Sequence, residues 1–115
     1  MKTRDRILHT SLALFNEEGE EHTTTIDIAN ELDISPGNLY YHFKGKEQVV
    51  DELYAQFHAR VLLALQGITA QAKGDPKETL AGLAVLSDVL QQFKFISQDI
   101  RGLNERYPSL RQPLR

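Results

Sequence analysis

Hydrophobic residues recur along this chain at steps of three and four, the spacing that places them on one face of an α-helix. No stretch alternates polar and apolar residues convincingly, as a half-buried strand would. The pattern therefore predicts an all-α fold. Glycine, proline and capping residues divide it into helices over about residues 3–18, 24–32, 35–45, 46–73, 75–92 and 93–105, with a last segment that opens at Pro108.

Each predicted helix has a candidate buried face made of its most regularly spaced apolar residues. A further apolar residue, Ile34, is expected to fill the core between the second and third helices. In chain order the predicted inward residues are Ile7, Leu8, Leu12 and Phe15; Ile28, Ala29 and Leu32; Leu39 and Phe43; Val50, Leu53, Tyr54, Phe57, Val61, Leu65 and Ile68; Leu80, Leu83, Ala84 and Leu90; and Phe93, Ile96, Ile100 and Leu103.

Residues 24–43 have the signals of two short helices joined by a tight turn. Thr24 and Asp27 have the spacing of a capping box, with Asp in place of Glu. Asp33 lies in the turn, where a left-handed backbone is often needed and Asp is tolerated better than most residues. Ser35 and Pro36 suit the N-cap and first position of the next helix. This layout predicts a helix-turn-helix whose second helix enters the DNA major groove.

The second of these helices carries side chains suited to DNA recognition. Small residues at its start, Pro36 and Gly37, permit close approach to base edges, and Asn38 can pair with adenine. Tyr40 and Tyr41 offer ring faces to thymine methyl groups and hydroxyls to phosphates. Each residue taken alone is more often a packing or capping residue than a DNA contact. The prediction depends on the ordered set.

Composition restricts the class of protein. The 115 residues are 41% hydrophobic, which suits one domain or one small domain with part of another. The absence of cysteine excludes disulfides and thiolate metal sites. No apolar run reaches the roughly 20 residues that span a bilayer, and the N-terminal segment lacks the pattern of a signal peptide. We expect a soluble cytoplasmic protein without a membrane partner.

The charge balance is unfavourable for DNA binding. The net charge is −3, and the first 64 residues hold six Lys and Arg against eleven Asp and Glu. Positive charge is local, near residues 2–6 and at Lys44 and Lys46, while acids cluster at residues 17–21, in a turn that could face away from DNA. Because phosphate contacts supply much of the affinity for DNA, we expect weak non-specific binding and a need for two copies on one site.

The sequence has no motif typical of an enzyme. Its four histidines do not have the spacing of a zinc-binding helix, and there is no glycine-rich phosphate loop or nucleophile elbow. We predict no catalytic residue, no metal and no cofactor. The remaining alternative is a helix-turn-helix module that binds another protein instead of DNA. The acidic balance favours this alternative somewhat, and salt dependence would separate the two.

Residues 4–60 closely resemble the N-terminal domain of TetR-type transcriptional regulators, without a gap. The resemblance implies a DNA-binding domain over residues 1–60, whose three helices are joined by a fourth to an all-helical regulatory domain, with residues 61–115 as part of that domain. It also implies a homodimeric repressor on palindromic double-stranded DNA, released by a small-molecule effector. The matching residues are Ile7–Phe15, Gly19, Thr23–Ala29, Ile34-Ser35 and Gly37-x-Leu39-Tyr40-Tyr41-His42-Phe43-x-x-Lys46-Glu47.

The resemblance also implies roles for single residues. Hydroxyls and backbone N–H groups at helix starts bind phosphates, and Lys46 would contact the DNA backbone further along. By position, the implied phosphate contacts are Thr24 or Thr25, Tyr40, Tyr41, His42 and Lys46, and the residues implied to approach bases are Pro36, Gly37 and Asn38, with Ser35 at the same helix start.

Two features depart from the family pattern. Asp33 stands where many relatives have glycine, and such regulators are usually much longer, with a dimer interface built near the C-terminus. We therefore expect the chain to represent part of a regulator, which leaves its own dimer and ligand pocket in question. The stripe from Phe57 to Leu65, with Leu83, Leu90 and Phe93, would be ordinary core or line a pocket. In an incomplete bundle, part of it would be exposed.

Overall fold

The computed structural model describes residues 1–71 and 75–111. Within these ranges every regular element is helical, which confirms the predicted all-α fold. The helices are α1 Thr3–Glu18, α2 Thr25–Leu32, α3 Pro36–His42, α4 Lys46–Gln71, α5 Pro76–Gln92, α6 Lys94–Ser97 and α7 Ile100–Arg106, with 3-10 turns at Glu20–His22 and Pro108–Arg111.

The boundaries of α1 and α2 follow from local capping chemistry. Lys2, rather than Thr3, is the N-cap of α1, and Gly19 ends the helix with φ +91° while donating its N–H to Phe15. The predicted capping box is confirmed, because the Asp27 N–H donates to Thr24 Oγ1 at 3.1 Å and the Thr24 N–H donates to Asp27 Oδ2 at 2.8 Å.

The turn between α2 and α3 has the predicted left-handed residue. Asp33 has φ 55° and ψ 45°, and the following Ile34 packs half-buried against the core. Ser35 caps α3, with its Oγ accepting from the Asn38 N–H at 3.0 Å, and Pro36 is the first helical residue. The turn therefore contains one left-handed residue, and the Ser35 cap satisfies one of the free N–H groups in the first turn of α3.

The expectation that α3 continues to Gly45 was wrong. The helix ends at His42, and Phe43 takes an extended backbone with φ −137° and ψ 122°. This conformation buries the Phe43 ring in the core, beneath the Arg4 guanidinium at 5.1 Å from the ring centroid. Burial of an aromatic ring outweighs one further turn of a short helix.

The core of the first three helices extends directly into α4. All the predicted inward residues of α1 to α3 are buried or half-buried, and α4 adds Val49, which the predicted stripe omitted. The fully or nearly fully buried members of this unit are Ile7, Leu8, Phe15, Ile28, Ala29, Leu39, Phe43, Val49, Val50 and Leu53. The helix-turn-helix is therefore fixed to α1 and to the first turns of α4.

The apolar face predicted for α5 is mostly exposed. The helix begins as expected at Asp75-Pro76, where the Asp75 carboxylate accepts from the Lys77 N–H at 2.9 Å. Its buried residue is Val89, however, while Leu80 is 66% exposed and Leu83 is 48% exposed. Ala84 and Leu90 are exposed too. The helix packs along α4, and no other described element covers its remaining apolar side.

The longer stripe on α4 and α5 has a mixed outcome. Phe57 and Phe93 are buried, with ring centroids 5.6 Å apart, and belong to the core. Leu65, Leu83 and Leu90 are exposed, which agrees with the expected partial exposure of the stripe. The predicted end of α4 near residue 73 lies outside the described residues.

Residues 93–105 form two short helices instead of one. The chain bends at Gln98-Asp99, and this bend changes which face of α7 lies against the core. As a result Leu103 is buried, whereas Ile100 is 42% exposed. Phe95, which the predicted pattern omitted, packs its ring 5.1 Å from Phe15. The short helices thereby dock on the C-terminal end of α1.

An asparagine fixes this docking. Asn16 donates its amide N–H to the carbonyl of Gln92 at 2.9 Å and accepts from the Phe95 N–H at 2.9 Å. These groups lie where α5 gives way to α6, so one α1 side chain satisfies two backbone groups at that junction. The position of the helix-turn-helix unit is thus tied to the later helices.

Candidate nucleic-acid interface

The outer face of α3 is the most exposed aromatic surface of the helix-turn-helix. Tyr40 is 58% exposed and Tyr41 is 76% exposed, whereas Leu39, the residue before them, is buried. The alternation follows from helical geometry, since Leu39 turns one side of α3 towards the core, where Phe43, the residue after the helix, is also buried. Large exposed aromatic side chains that add little to the core are typical of a binding surface.

The start of α3 is open to solvent as well. The predicted base-approaching residues Pro36, Gly37 and Asn38 are all exposed, and so is Ser35. The Ser35 hydroxyl caps the helix through the Asn38 N–H, while the Asn38 side-chain amide has no hydrogen bond among those found in the described chain. This amide is available to pair with a base edge.

A cation and a histidine flank the two tyrosines. The Lys44 ammonium lies 4.7 Å from the centroid of the Tyr40 ring and donates to the Tyr40 carbonyl at 3.2 Å. The His42 ring meets the Tyr41 ring edge-on at 5.1 Å. Lys44 was not among the predicted contact residues, although its place directly after the aromatic run and its charge are visible in the sequence.

Charge is distributed unevenly around α3. Residues 34–46 contain no carboxylate, although the first 64 residues have an excess of acidic side chains. This segment spans the whole of α3 and holds His42, Lys44 and Lys46. The net negative charge of the chain is therefore not located on this face, where it would repel phosphates.

The two threonines near the start of α2 differ in exposure. Thr24 is exposed and Thr25 is half-buried. The Thr24 oxygen accepts the capping hydrogen bond from Asp27, but its hydroxyl proton can still be donated to a phosphate oxygen. Of the two, Thr24 is the more exposed hydroxyl donor.

Lys46 has a different environment from the other predicted contacts. Its Nζ donates to the Glu20 carbonyl at 2.8 Å and to the Thr23 carbonyl at 3.1 Å, and lies 3.1 Å from Glu20 Oε2. These three acceptors match the three donors of an ammonium group. A phosphate contact by this side chain would have to replace one of them.

Glu20 is the acceptor in two of these interactions, and it is one of the acids in the turn that was expected to face away from DNA. Its side chain is only 4% exposed. Burial alone would raise the pKa of Glu20, but hydrogen bonds from Tyr107, Lys46 and Arg106 outweigh burial and hold the pKa below its ordinary value. Neither Glu20 nor its partners Arg106 and Tyr107 were predicted as functional residues, since their proximity depends on tertiary structure.

Other kinds of site find no support in the described part of the chain. Among residues 1–71 and 75–111 there is no group of three or more metal-ligating side chains. Over the same residues, no helix is both long and apolar enough to span a membrane.

Known proteins are similar in sequence to the part of the chain that holds this face. Residues 7–53 match the model for the bacterial regulatory proteins of the tetR family. The HTH-type transcriptional repressor KstR2 of Mycolicibacterium smegmatis is 38% identical over 84 residues, which cover 73% of this chain and 40% of KstR2. The chain belongs to the TetR family. Among its relatives is also the probable acrEF/envCD operon repressor of Escherichia coli, 29% identical over 97 residues, with 80% of this chain and 44% of that protein covered.

Solved structures of TetR-family proteins share its fold. A TetR-family transcriptional regulator from Marinobacter aquaeolei has a TM-score of 0.86 and 39% identity, with 97% of this chain and 55% of that chain covered. The ketosteroid transcriptional regulator KstR2 of Mycobacterium tuberculosis has a TM-score of 0.78 and 29% identity, covering 95% and 59%. The chain thus spans less than half of the curated relatives named above and little more than half of these solved chains.

Proposed function

We propose that this TetR-family chain is the DNA-binding part of a transcriptional regulator, with α3 placed in the major groove. The observation that carries the proposal is the exposed Tyr40 and Tyr41 pair on a carboxylate-free segment within a helix-turn-helix. Aromatic side chains that add little to the protein core are free to bury their area against DNA. The names of the relatives, which are repressors of transcription, support the same function.

Within this proposal, each exposed residue has a role that its position supports. Pro36 and Gly37 let the backbone approach the bases, and Asn38 pairs with a base edge. Ser35 holds the start of α3 in a capped conformation. The phosphate contacts are made by Thr24 or Thr25, Tyr40, Tyr41 and His42, with Lys44 as a neighbouring cation.

We further propose two copies on a palindromic operator, with residues 1–60 as the DNA-binding domain and residues 61–115 as part of a helical regulatory domain. A single recognition helix of seven residues reads few bases, so a second copy on the same duplex supplies the remaining affinity. A small-molecule effector would control a cytoplasmic repressor of this kind.

The test is repeated selection of a random DNA pool by the chain, followed by fluorescence anisotropy of the winning duplex at two salt concentrations. A tandem of two copies joined by a flexible linker supplies the second helix-turn-helix in cis. We expect enrichment of two inverted half-sites about 10 base pairs apart, bound more weakly at higher salt. A scrambled duplex serves as the control.

The proposal fails if neither the chain nor its tandem enriches any sequence. It also fails if the selected duplex binds no better than the scrambled one. In that case the exposed tyrosines would belong to a protein-binding surface, which a peptide or protein partner would occupy without the salt dependence of phosphate contacts.

A further inference from the structure

A buried carboxylate joins the helix-turn-helix unit to the end of α7. Glu20 Oε1 accepts from Arg106 Nε at 3.0 Å and from Arg106 Nη2 at 2.9 Å. Glu20 Oε2 accepts from the Tyr107 hydroxyl at 2.5 Å and lies 3.1 Å from Lys46 Nζ. We call Glu20, Lys46, Arg106 and Tyr107 the Glu20 cluster.

The cluster brings together three distant parts of the sequence. Glu20 lies in the turn that precedes α2, Lys46 is the first residue of α4, and Arg106 ends α7, 86 residues after Glu20. The Lys46 ammonium also holds the carbonyl of Thr23, the residue before the α2 cap. The Glu20 carboxylate is therefore linked through Lys46 to the starts of both α2 and α4.

We propose that the Glu20 cluster couples α7 to the recognition helix, with Glu20, Lys46 and Arg106 acting as positioning residues rather than as DNA contacts. The inference rests on the proposed function and deepens it, since it names the side chains through which the later helices would set the DNA affinity of α3. Lys46, in this assignment, fixes the framework of the helix-turn-helix from within.

Arg106 has ion-pair partners on both sides of the contact between α7 and the turn that holds Glu20. Besides Glu20, Arg106 pairs with Asp99 at 3.1 Å on its own short helix and with Glu21 at 2.5 Å. If α7 moves, the guanidinium retains Asp99 as a partner, while Glu20 keeps Lys46 alone as its cation. A carboxylate this buried is costly to leave with fewer partners, so it would move towards solvent and carry the start of α2 with it.

The coupling must be reciprocal. If the position of α7 changes the affinity for DNA, then DNA must change the stability of α7 by the same factor. This consequence separates coupling from a merely structural role. Loss of a merely structural ion pair would lower the stability of the fold. It would give no reason for DNA to slow amide exchange in α7.

The experiment compares three variants with one matched control. Arg106→Gln removes the bidentate pair, Tyr107→Phe removes a single hydroxyl and keeps the ring, and Glu20→Gln removes the charge at the centre. The control, Arg101→Gln, makes the same charge change at an exposed position of α7 that has no ion pair among the described residues. Amide hydrogen exchange is measured for each protein with and without the selected duplex, and affinity by fluorescence anisotropy.

We expect Arg106→Gln to weaken binding of the selected duplex about two- to thirtyfold and Arg101→Gln to leave it unchanged. Without DNA, Arg106→Gln should speed exchange at the starts of α2 and α4. With DNA, exchange in α7 should slow in the wild-type chain and not in Glu20→Gln. Tyr107→Phe should produce smaller changes of the same kind in affinity and amide exchange. If Arg106→Gln fails to fold, the result for Tyr107→Phe tests the inference.

Equal affinity of the folded Arg106→Gln and Arg101→Gln proteins would overturn the inference. The inference would also be overturned if DNA left amide exchange in α7 of the wild-type chain unchanged. If neither the wild-type chain nor its tandem binds DNA, the proposed function fails, and the coupling is then judged on amide exchange alone. In that case, unchanged exchange at the starts of α2 and α4 in both Arg106→Gln and Tyr107→Phe overturns it.

Discussion

Replacement of Tyr41 by alanine should separate DNA binding from folding more cleanly than any other change on α3. The side chain is 76% exposed, and its ring meets the His42 ring edge-on at 5.1 Å between centroids. Little core contact is lost in Tyr41→Ala, so the free energy of unfolding should change by less than about 0.5 kcal/mol. Any larger effect on DNA binding must then arise at the interface.

The size of that effect follows from the exposed area. If DNA buried all of the exposed part of a ring that covers about 150 Å², the transfer term would be at most about 3 kcal/mol. Since an interface covers only part of a side chain, we expect a loss of about 1–3 kcal/mol, or roughly five- to 140-fold in Kd. Anisotropy with the selected duplex measures the loss, and urea unfolding followed by circular dichroism measures stability.

Tyr54→Ala is the matched control for this experiment. Tyr54 is half-buried on α4, with its ring centroid 6.4 Å from that of Phe57. Its removal should lower stability by about 1–3 kcal/mol while leaving the affinity of the folded protein unchanged. An unchanged Kd for Tyr41→Ala, or a loss of stability that accounts for all of its weaker binding, would refute the assignment of Tyr41.

Three further predictions concern the framework that holds α3. The pKa of Glu20 lies below its ordinary value of 4.5, so the charged carboxylate stabilises the folded chain above that pH. The difference in unfolding free energy between wild type and Glu20→Gln should therefore be constant near neutral pH and shrink as pH falls below 4.5. Urea unfolding at a series of pH values measures this difference. Gly19 has φ +91°, so Gly19→Ala should lower the unfolding free energy by about 1–3 kcal/mol, as measured by thermal unfolding. At Gly45 an added Cβ would meet open space, so Gly45→Ala should change the unfolding free energy by less than about 0.5 kcal/mol. Equal losses for the two variants would contradict the strain argument. Asp33→Gly relieves a left-handed residue and should raise the unfolding free energy by about 0.5–1 kcal/mol; a lower value would show that Asp33 is not strained.

The first half of the chain was predictable because its signals are local. A capping box, a serine cap with proline after it, and a turn residue that tolerates φ above zero each act within four residues. Leu39 could also be placed, because a helix that buries one side exposes the other. The exposed faces of Tyr40 and Tyr41 follow from the same geometry. Phe43 is buried as predicted, but from an extended backbone beyond the end of α3.

The second half was less predictable because its apolar residues do not mark one face. In α5, Leu80 and Leu83 have helical spacing, yet Val89 is the residue that packs against the core. Periodicity indicates a helix, but it does not say which element covers which side. The bend at Asp99 likewise depends on how α6 and α7 dock on α1, and it turns Ile100 outward.

The Glu20 cluster could not be predicted from sequence at all. Its members are separated by up to 87 residues, and acidic residues in a turn are usually solvated. Only the folded chain shows that Glu20 is an internal counter-charge for Lys46 and Arg106. This placement also removes Glu20 from the surface charge that would oppose DNA.

The central claim is that α3 is the element that binds DNA. Its most direct test is to add the selected duplex to the isotopically labelled chain and record which backbone amides shift in NMR spectra. The account predicts the largest shifts at residues 35–44, with smaller ones near Thr24. Shifts confined to the exposed apolar sides of α4 and α5, with α3 unchanged, would contradict it.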